Sequence, residues 1–136
     1  MGGLTAGSQQ STNYNPRKVL LIEDDDNLAK VYLLRLQAEG FEAKRGANGE
    51  RALITAIQYR PELILLDIML PKISGFDVLD ILRNTPETAK AKIIIFSARG
   101  QERDRQRAQA LGADGYLVKS QATLSEVMTV IKQQLA

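Results

Sequence analysis

The sequence contains no cysteine and no histidine. Without cysteine there are no disulfides, no thiol nucleophile and no thiolate metal site, which fits a reducing compartment. Without histidine there is no Ser-His-Asp triad, no imidazole general base and no His-ligated metal. Any metal must then be a hard cation held by oxygens. No apolar run approaches the ~20 residues that span a bilayer. No basic stretch leads into an apolar one near the N-terminus, so that end does not read as a signal peptide. A large excess of one charge is also missing. The 18 Lys+Arg against 16 Asp+Glu leave +2, too little to argue for nucleic acid without a patch.

What is present is an ordinary globular mix: 136 residues, 44% hydrophobic and 25% charged. That is the size of one domain, able to bury a core without disulfide or metal staples. Residues 1–16 are small and polar with no charged side chain, and read as a flexible tail. Residues 17–136 read as the folded domain. In it, short apolar runs alternate with helical patterns. The runs are Val19–Ile22, Leu63–Leu66, Ile93–Phe96 and Tyr116–Val118. They are apolar throughout, as expected of strands covered on both faces in a parallel sheet. Phe41–Lys44 alternates and suits an edge strand.

Between the runs, Leu28, Val31, Tyr32 and Leu36 fall at helical spacing, as do Leu53, Ala56 and Ile57, and Leu124, Val127, Met128, Ile131 and Leu135. Asn48 and one of Asp25 and Asp26 are placed as helix N-caps, and Gly40 and Gly112 as residues just past helix ends. Five strand–helix units follow: an α/β fold, a central parallel sheet with helices on both faces.

A polar residue closes each buried run. Glu23-Asp24-Asp25-Asp26 follows the first, Asp67 the third strand's run, Ser97 the fourth and Lys119 the fifth. In an open parallel sheet these positions share one edge, at the carboxyl ends of the strands, where such folds bind ligands. Glu23, Asp24 and Asp67 would there repel one another. Mg²⁺ is the cation that suits an all-oxygen set. Lys119 offers a point charge and Ser97 a hydroxyl for phosphoryl oxygens. Such a set suits phosphoryl transfer, with a carboxylate as the only strong nucleophile. Each residue alone reads as well as a cap, a turn residue or a solvated charge; their joint placement at four strand ends favours the site.

On these residues the chain resembles the receiver domain of two-component response regulators, from about Lys18 to Leu135. The resemblance lies in Val-Leu-Leu-Ile-Glu-Asp-Asp at 19–25, Leu-Leu-Asp-Ile-Met-Leu-Pro at 65–71 with Gly75, Ile-Ile-Phe-Ser-Ala at 94–98 and Gly-Ala-Asp-Gly-Tyr-Leu-Val-Lys at 112–119. It implies a flavodoxin-like sheet of strand order 2-1-3-4-5 with five helices. It implies a phosphoryl-accepting signalling domain, not an enzyme, cytoplasmic and outside the membrane. Asp67 would accept phosphoryl from a sensor histidine kinase or a histidine phosphotransfer protein; having no histidine, this chain needs that donor elsewhere. Asp24, Asp67 and the backbone carbonyl of Met69 would hold Mg²⁺ directly, and Glu23 through water. Ser97 and Lys119 would clamp the phosphoryl group and Tyr116 would act as the switch aromatic. Met69 and Arg99 would tune dephosphorylation, Met69 lacking any group to position water. A downstream effector would meet the fourth helix, fifth strand and fifth helix, with no direct nucleic-acid contact, in a monomer or a phosphorylation-dependent dimer.

One departure is Ser120, where the family usually has proline, often after a cis peptide; a trans bond is far cheaper at Lys119-Ser120, which leaves the loop geometry there open and with it the output surface. The arginines of 99–107 read as a solvated helix face or as a docking surface for an acidic partner. Two other functions compete with this one. A Mg²⁺-dependent phosphatase with an Asp nucleophile would want Asp at position 69 and a cap domain. A degenerate, phosphorylation-independent receiver would not keep Glu23, Asp24, Asp67, Ser97 and Lys119 together.

Overall fold

Each buried run becomes a strand whose successive side chains point to opposite faces. The computed structural model describes residues 15–136. The tail expected over 1–16 lies, apart from its last two residues, outside the described residues. The strands are β1 (Lys18–Ile22), β2 (Glu42–Gly46), β3 (Leu63–Leu66), β4 (Lys92–Ser97) and β5 (Gly115–Val118). The helices are α1 (Asp26–Ala38), α2 (Gly49–Tyr59), α3 (Gly75–Arg83), α4 (Glu102–Ala110) and α5 (Leu124–Leu135), with a 3₁₀ turn at Lys119–Gln121. The sheet is parallel throughout, in the expected order β2-β1-β3-β4-β5.

The pleat divides the apolar runs into two cores. Leu20, Ile22, Ile64, Leu66, Ile93 and Ile95 face α2, α3 and α4 through Ala52, Ala56, Val78, Leu79, Leu82 and Ala108. Val19, Leu21, Leu63, Leu65, Ile94 and Phe96 face α1 and α5 through Ala29, Tyr32, Leu36, Val127, Met128 and Ile131. Burying a Leu or Ile side chain stabilises by roughly 1.5–3 kcal/mol, so these two layers fix the sheet. Among the described residues no helix is long and apolar enough to cross a membrane.

The helix ends follow the expected chemistry. Asp25 caps α1 through the Leu28 amide, and Asn48 caps α2 through the Arg51 amide. Thr123 and Glu126 form a reciprocal capping box on α5. Gly40 and Gly112 have φ of 95° and 100°, the left-handed conformation that glycine adopts without penalty.

Three details differ from the sequence reading. The edge strand runs over Glu42–Gly46, later than Phe41–Lys44, because β2 pairs with β1 up to Ile22↔Gly46. In α1 the buried stripe is Ala29, Tyr32 and Leu36, and Val31 is 50% exposed. In α2 it is Ala52, Ala56 and Tyr59, and Ile57 is 41% exposed. In both helices a small alanine marks the face that lies closest to the sheet, so alanine was the better guide than the branched residues.

Arg83 ties three elements together at the end of the sheet remote from the acidic residues. From the C-terminal turn of α3 its guanidinium donates to the carbonyls of Gly112 (2.8 Å), Ala89 (3.1 Å) and Ala91 (2.6 Å). It also pairs with the Asp114 carboxylate at 2.6 Å, which in turn accepts the Ile93 amide. Removing it strands a partly buried carboxylate and three carbonyls. Arg83→Ala is expected to lower stability by about 2 kcal/mol, read as a lower urea midpoint at unchanged slope. A loss below about 0.5 kcal/mol, the range of an ordinary surface substitution, would contradict this role.

Candidate functional site at the carboxyl ends of the strands

The register sets the acidic residues side by side. Ile22 pairs with Gly46 on one side and Leu66 on the other. The ladder continues one step further, with the Glu23 amide donating to the Gly46 carbonyl (3.1 Å) and the Asp67 amide to the Ile22 carbonyl (3.0 Å). Glu23 and Asp67 therefore leave adjacent central strands at one level. Both are buried and Asp24 is exposed. One carboxylate oxygen from each of the three lies within 4.8 Å of the others.

Lys119 enters from the far side. Its Nζ sits 2.7 Å from Glu23 Oε1 and 2.9 Å from Asp67 Oδ2. The remaining oxygens are held by the backbone: Glu23 Oε2 accepts the Asp25 amide (3.1 Å) and Asp67 Oδ1 accepts the Met69 amide (2.9 Å). The loop after Asp67 is closed by Gly75, whose amide donates to the Ile68 carbonyl at 3.0 Å. A Cβ there would fall 2.2 Å from Ile68 Cα and 2.6 Å from the Asp67 carbonyl oxygen; glycine is required.

Burial pushes the Glu23 carboxyl above its usual range, and Asp67 adds to this while Lys119 and the Asp25 amide oppose it. Burial would lower the Lys119 ammonium, but Glu23 and Asp67 outweigh it and hold it above its ordinary value. The three acids were expected to repel one another. The structure instead has an ammonium between two of them, which offsets much of that repulsion.

The other strand ends join the same edge. Ser97 is fully buried, its Oγ accepting the Arg99 amide at 3.2 Å. Tyr116 donates its hydroxyl to the Arg99 carbonyl at 2.6 Å. Burial raises the Tyr116 phenol pKa and Asp104 adds to it, against Arg105, Arg99 and Ser97. Met69 is 49% exposed, its thioether offering no strong hydrogen bond. The Arg99 guanidinium is not directed at the acids: it pairs with Asp104 at 3.0 Å. The peptide bond after Lys119 is trans, which settles a geometry that the sequence left open.

Two residues escaped the sequence reading. Arg45, at the end of β2, donates to the Glu23 carbonyl (2.9 Å) and pairs with Asp26 (2.8 Å); the early end assigned to the edge strand left it out. Asp104 is buried in α4. Its spacing with Ala108 and Leu111 was the available signal, hidden by the charges around it.

An all-carboxylate set with one exposed member fits a hard divalent cation, which accepts oxygen ligands and keeps several waters. Together these groups present a buried carboxylate beside positive charge, with a hydroxyl one strand away.

Comparison with known proteins identifies a family for the chain. Residues 19–132 match the family model described as the response regulator receiver domain. The chain is 40% identical over 118 residues to the phosphate regulon transcriptional regulatory protein PhoB of Rhizobium meliloti, covering 87% of this chain and 52% of that protein. It is 34% identical over 104 residues to the polar-differentiation response regulator DivK of Brucella anthropi, covering 76% of this chain and 85% of that one. The signal receiver domain of a putative Luxo repressor protein from Vibrio parahaemolyticus superposes with a TM-score of 0.81 at 29% identity, covering 89% of this chain and 91% of that one. The chain thus spans about half the length of the phosphate regulon protein.

Lys119→Met would leave Glu23 and Asp67 facing each other without a cation. A carboxylate whose folded pKa is raised contributes most below its unfolded value, and loses that contribution as pH rises through the folded value. Glu23 is already raised from 4.5, and losing Lys119 raises it further. The variant's stability deficit should therefore be small near about pH 5 and larger near about pH 7.5. Urea unfolding of both proteins at the two pH values measures it; an equal deficit at both would overturn the electrostatic account.

Proposed function

Since the chain belongs to the response regulator receiver domain family, we propose that it takes a phosphoryl group from a partner's phosphohistidine onto Asp67, with Mg²⁺, and relays the change to a partner-binding surface. One observation carries this reading: Asp67 is buried at the end of a central strand, 2.9 Å from Lys119 and clustered with Glu23 and Asp24.

The chemistry is a displacement at phosphorus. An Asp67 carboxylate oxygen forms the new P–O bond as the P–N bond of the donor breaks, and the donor's imidazole keeps the departing electron pair. The Met69 amide holds Asp67 Oδ1, which fixes the carboxylate plane. Lys119 is already in place to balance charge on the incoming phosphoryl oxygens. The Ser97 hydroxyl can donate to another of those oxygens while still accepting from the Arg99 amide. Glu23, Asp24, Asp67 and the Met69 carbonyl would hold Mg²⁺, whose positive charge offsets the acids and the developing phosphoryl charge. The donor is a histidine kinase or a histidine phosphotransfer protein. The surface of α4, β5 and α5 meets the effector, in the cytoplasm.

Incubation with acetyl phosphate and Mg²⁺ should add one phosphoryl group by intact mass, and Asp67→Asn or EDTA should abolish the addition. A folded wild-type chain of unchanged mass would refute the assignment. Hydrolysis of the phosphorylated form should be slow, because Met69 cannot orient a water. Met69→Asn should speed it by about tenfold, equivalent to about 1.4 kcal/mol of barrier. A phosphoryl half-life unchanged or lengthened in that variant would show that Met69 is not the gate.

A further inference from the structure

Asp104 is a buried carboxylate that the phosphoryl chemistry does not use. It sits in the first turn of α4, a helix in which only Asp104 and Ala108 are buried. Its Oδ1 accepts from Arg99 Nη2 at 3.0 Å, and its Oδ2 is buried with no hydrogen-bond partner. Gln101, the helix N-cap, makes no side-chain capping bond. The start of α4 is thus held by its tie to Arg99.

Arg99 is a node. Its amide donates to Ser97 Oγ at 3.2 Å, its carbonyl accepts the Tyr116 hydroxyl at 2.6 Å, and its guanidinium pairs with Asp104. Breaking the last tie would strand a buried charge, so Arg99 and the first turn of α4 stay joined when either moves. Ser97 cannot shift its hydroxyl toward a group on Asp67 without pulling on, or releasing, the Arg99 amide.

Resting on the assignment of Asp67 as the phosphoryl acceptor, we propose that Asp104 is a positioning residue: its ion pair with Arg99 is the strut that carries the displacement of Ser97 into α4. Two arms then leave Arg99, one through its carbonyl to Tyr116 and one through Asp104 to the helix. A rival route exists in Arg105, whose guanidinium stacks on the Tyr116 ring at 5.0 Å and could bring α4 along with the tyrosine. The two routes differ in what the loss of Asp104 does.

The test is amide hydrogen exchange of residues 103–107 and of β5, with and without beryllofluoride and Mg²⁺, in wild type, Asp104→Asn and Asp104→Glu. Wild type should change exchange in both segments when the mimic binds. Asp104→Asn should lose the mimic-dependent change at 103–107, keep it in β5 and still accept phosphoryl by mass. Asp104→Glu, which keeps the charge, should restore the change. A merely structural role would raise exchange at 103–107 equally with and without the mimic, leaving the difference intact. If Asp104→Asn fails to fold, Asp104→Leu carries the same expectation, since it leaves no unpaired polar group in the buried position and the Arg99 guanidinium, 44% exposed, turns to water. A wild-type difference retained in these variants would overturn the strut in favour of the Arg105 route. No response of wild-type 103–107 to a bound mimic would also overturn it. A wild type that takes neither mimic nor phosphoryl would instead refute the Asp67 assignment, and the strut with it.

Discussion

One ammonium group holds the functional edge of this protein together. Lys119 follows β5, which lies at the edge of the sheet, with β4 between it and β3. Its side chain crosses the end of β4, passing 5.7 Å from the centre of the Phe96 ring, to reach Asp67 on β3 and Glu23 on β1. Two carboxylates with almost no exposure persist only where they are paired, and here one cation pairs both. The same contact orients Asp67, draws three non-consecutive strands to one point and places positive charge beside the proposed acceptor. The rest of the edge is arranged around it: backbone amides take the carboxylate oxygens that Lys119 leaves, and Gly75 lets the following loop pass close beneath.

Most of the sheet was legible in the sequence because a doubly covered strand leaves an unambiguous trace. Four uninterrupted apolar runs, each closed by a polar residue, define both the buried strands and the edge at which their ends meet. That one pattern places Glu23, Asp24, Asp67, Ser97 and Lys119 at a common edge. The N-cap Asn48, a cap within the pair Asp25 and Asp26, and the helix-ending Gly40 and Gly112 were equally readable, because each rests on a local rule that tertiary packing had no reason to override.

What escaped was set by contacts between elements. Val31 and Ile57 fit a helical stripe but face solvent, since close approach of α1 and α2 to the sheet selects Ala29, Ala52 and Ala56 for the inner face. The sign of the pocket's electrostatics also could not be read from three acids alone. It depended on how far Lys119 reaches, a matter of strand spacing. Asp104 was concealed because burial of a charged residue is visible only once its partner is known, and the arginines at 103, 105 and 107 were as good candidates as Arg99. The same pairing turned Arg99 away from the acidic cluster, where the sequence had left it flanking the site.

The polar character of α4 has a thermal consequence. Its attachments are mainly polar, an ion pair and two guanidinium–ring contacts, Arg105 on Tyr116 and Arg107 on Phe76, and Ala108 is its one buried apolar residue. Detaching it would expose few apolar groups and so carry a small change in heat capacity, whereas unfolding the two leucine- and isoleucine-rich layers carries a large one. Curvature in the dependence of stability on temperature therefore belongs to the two apolar layers, and the seat of α4 adds little to it. A calorimetric scan of this protein reads the leucine and isoleucine of the sheet, while the polar helix beside the strand ends leaves almost no mark on the heat capacity.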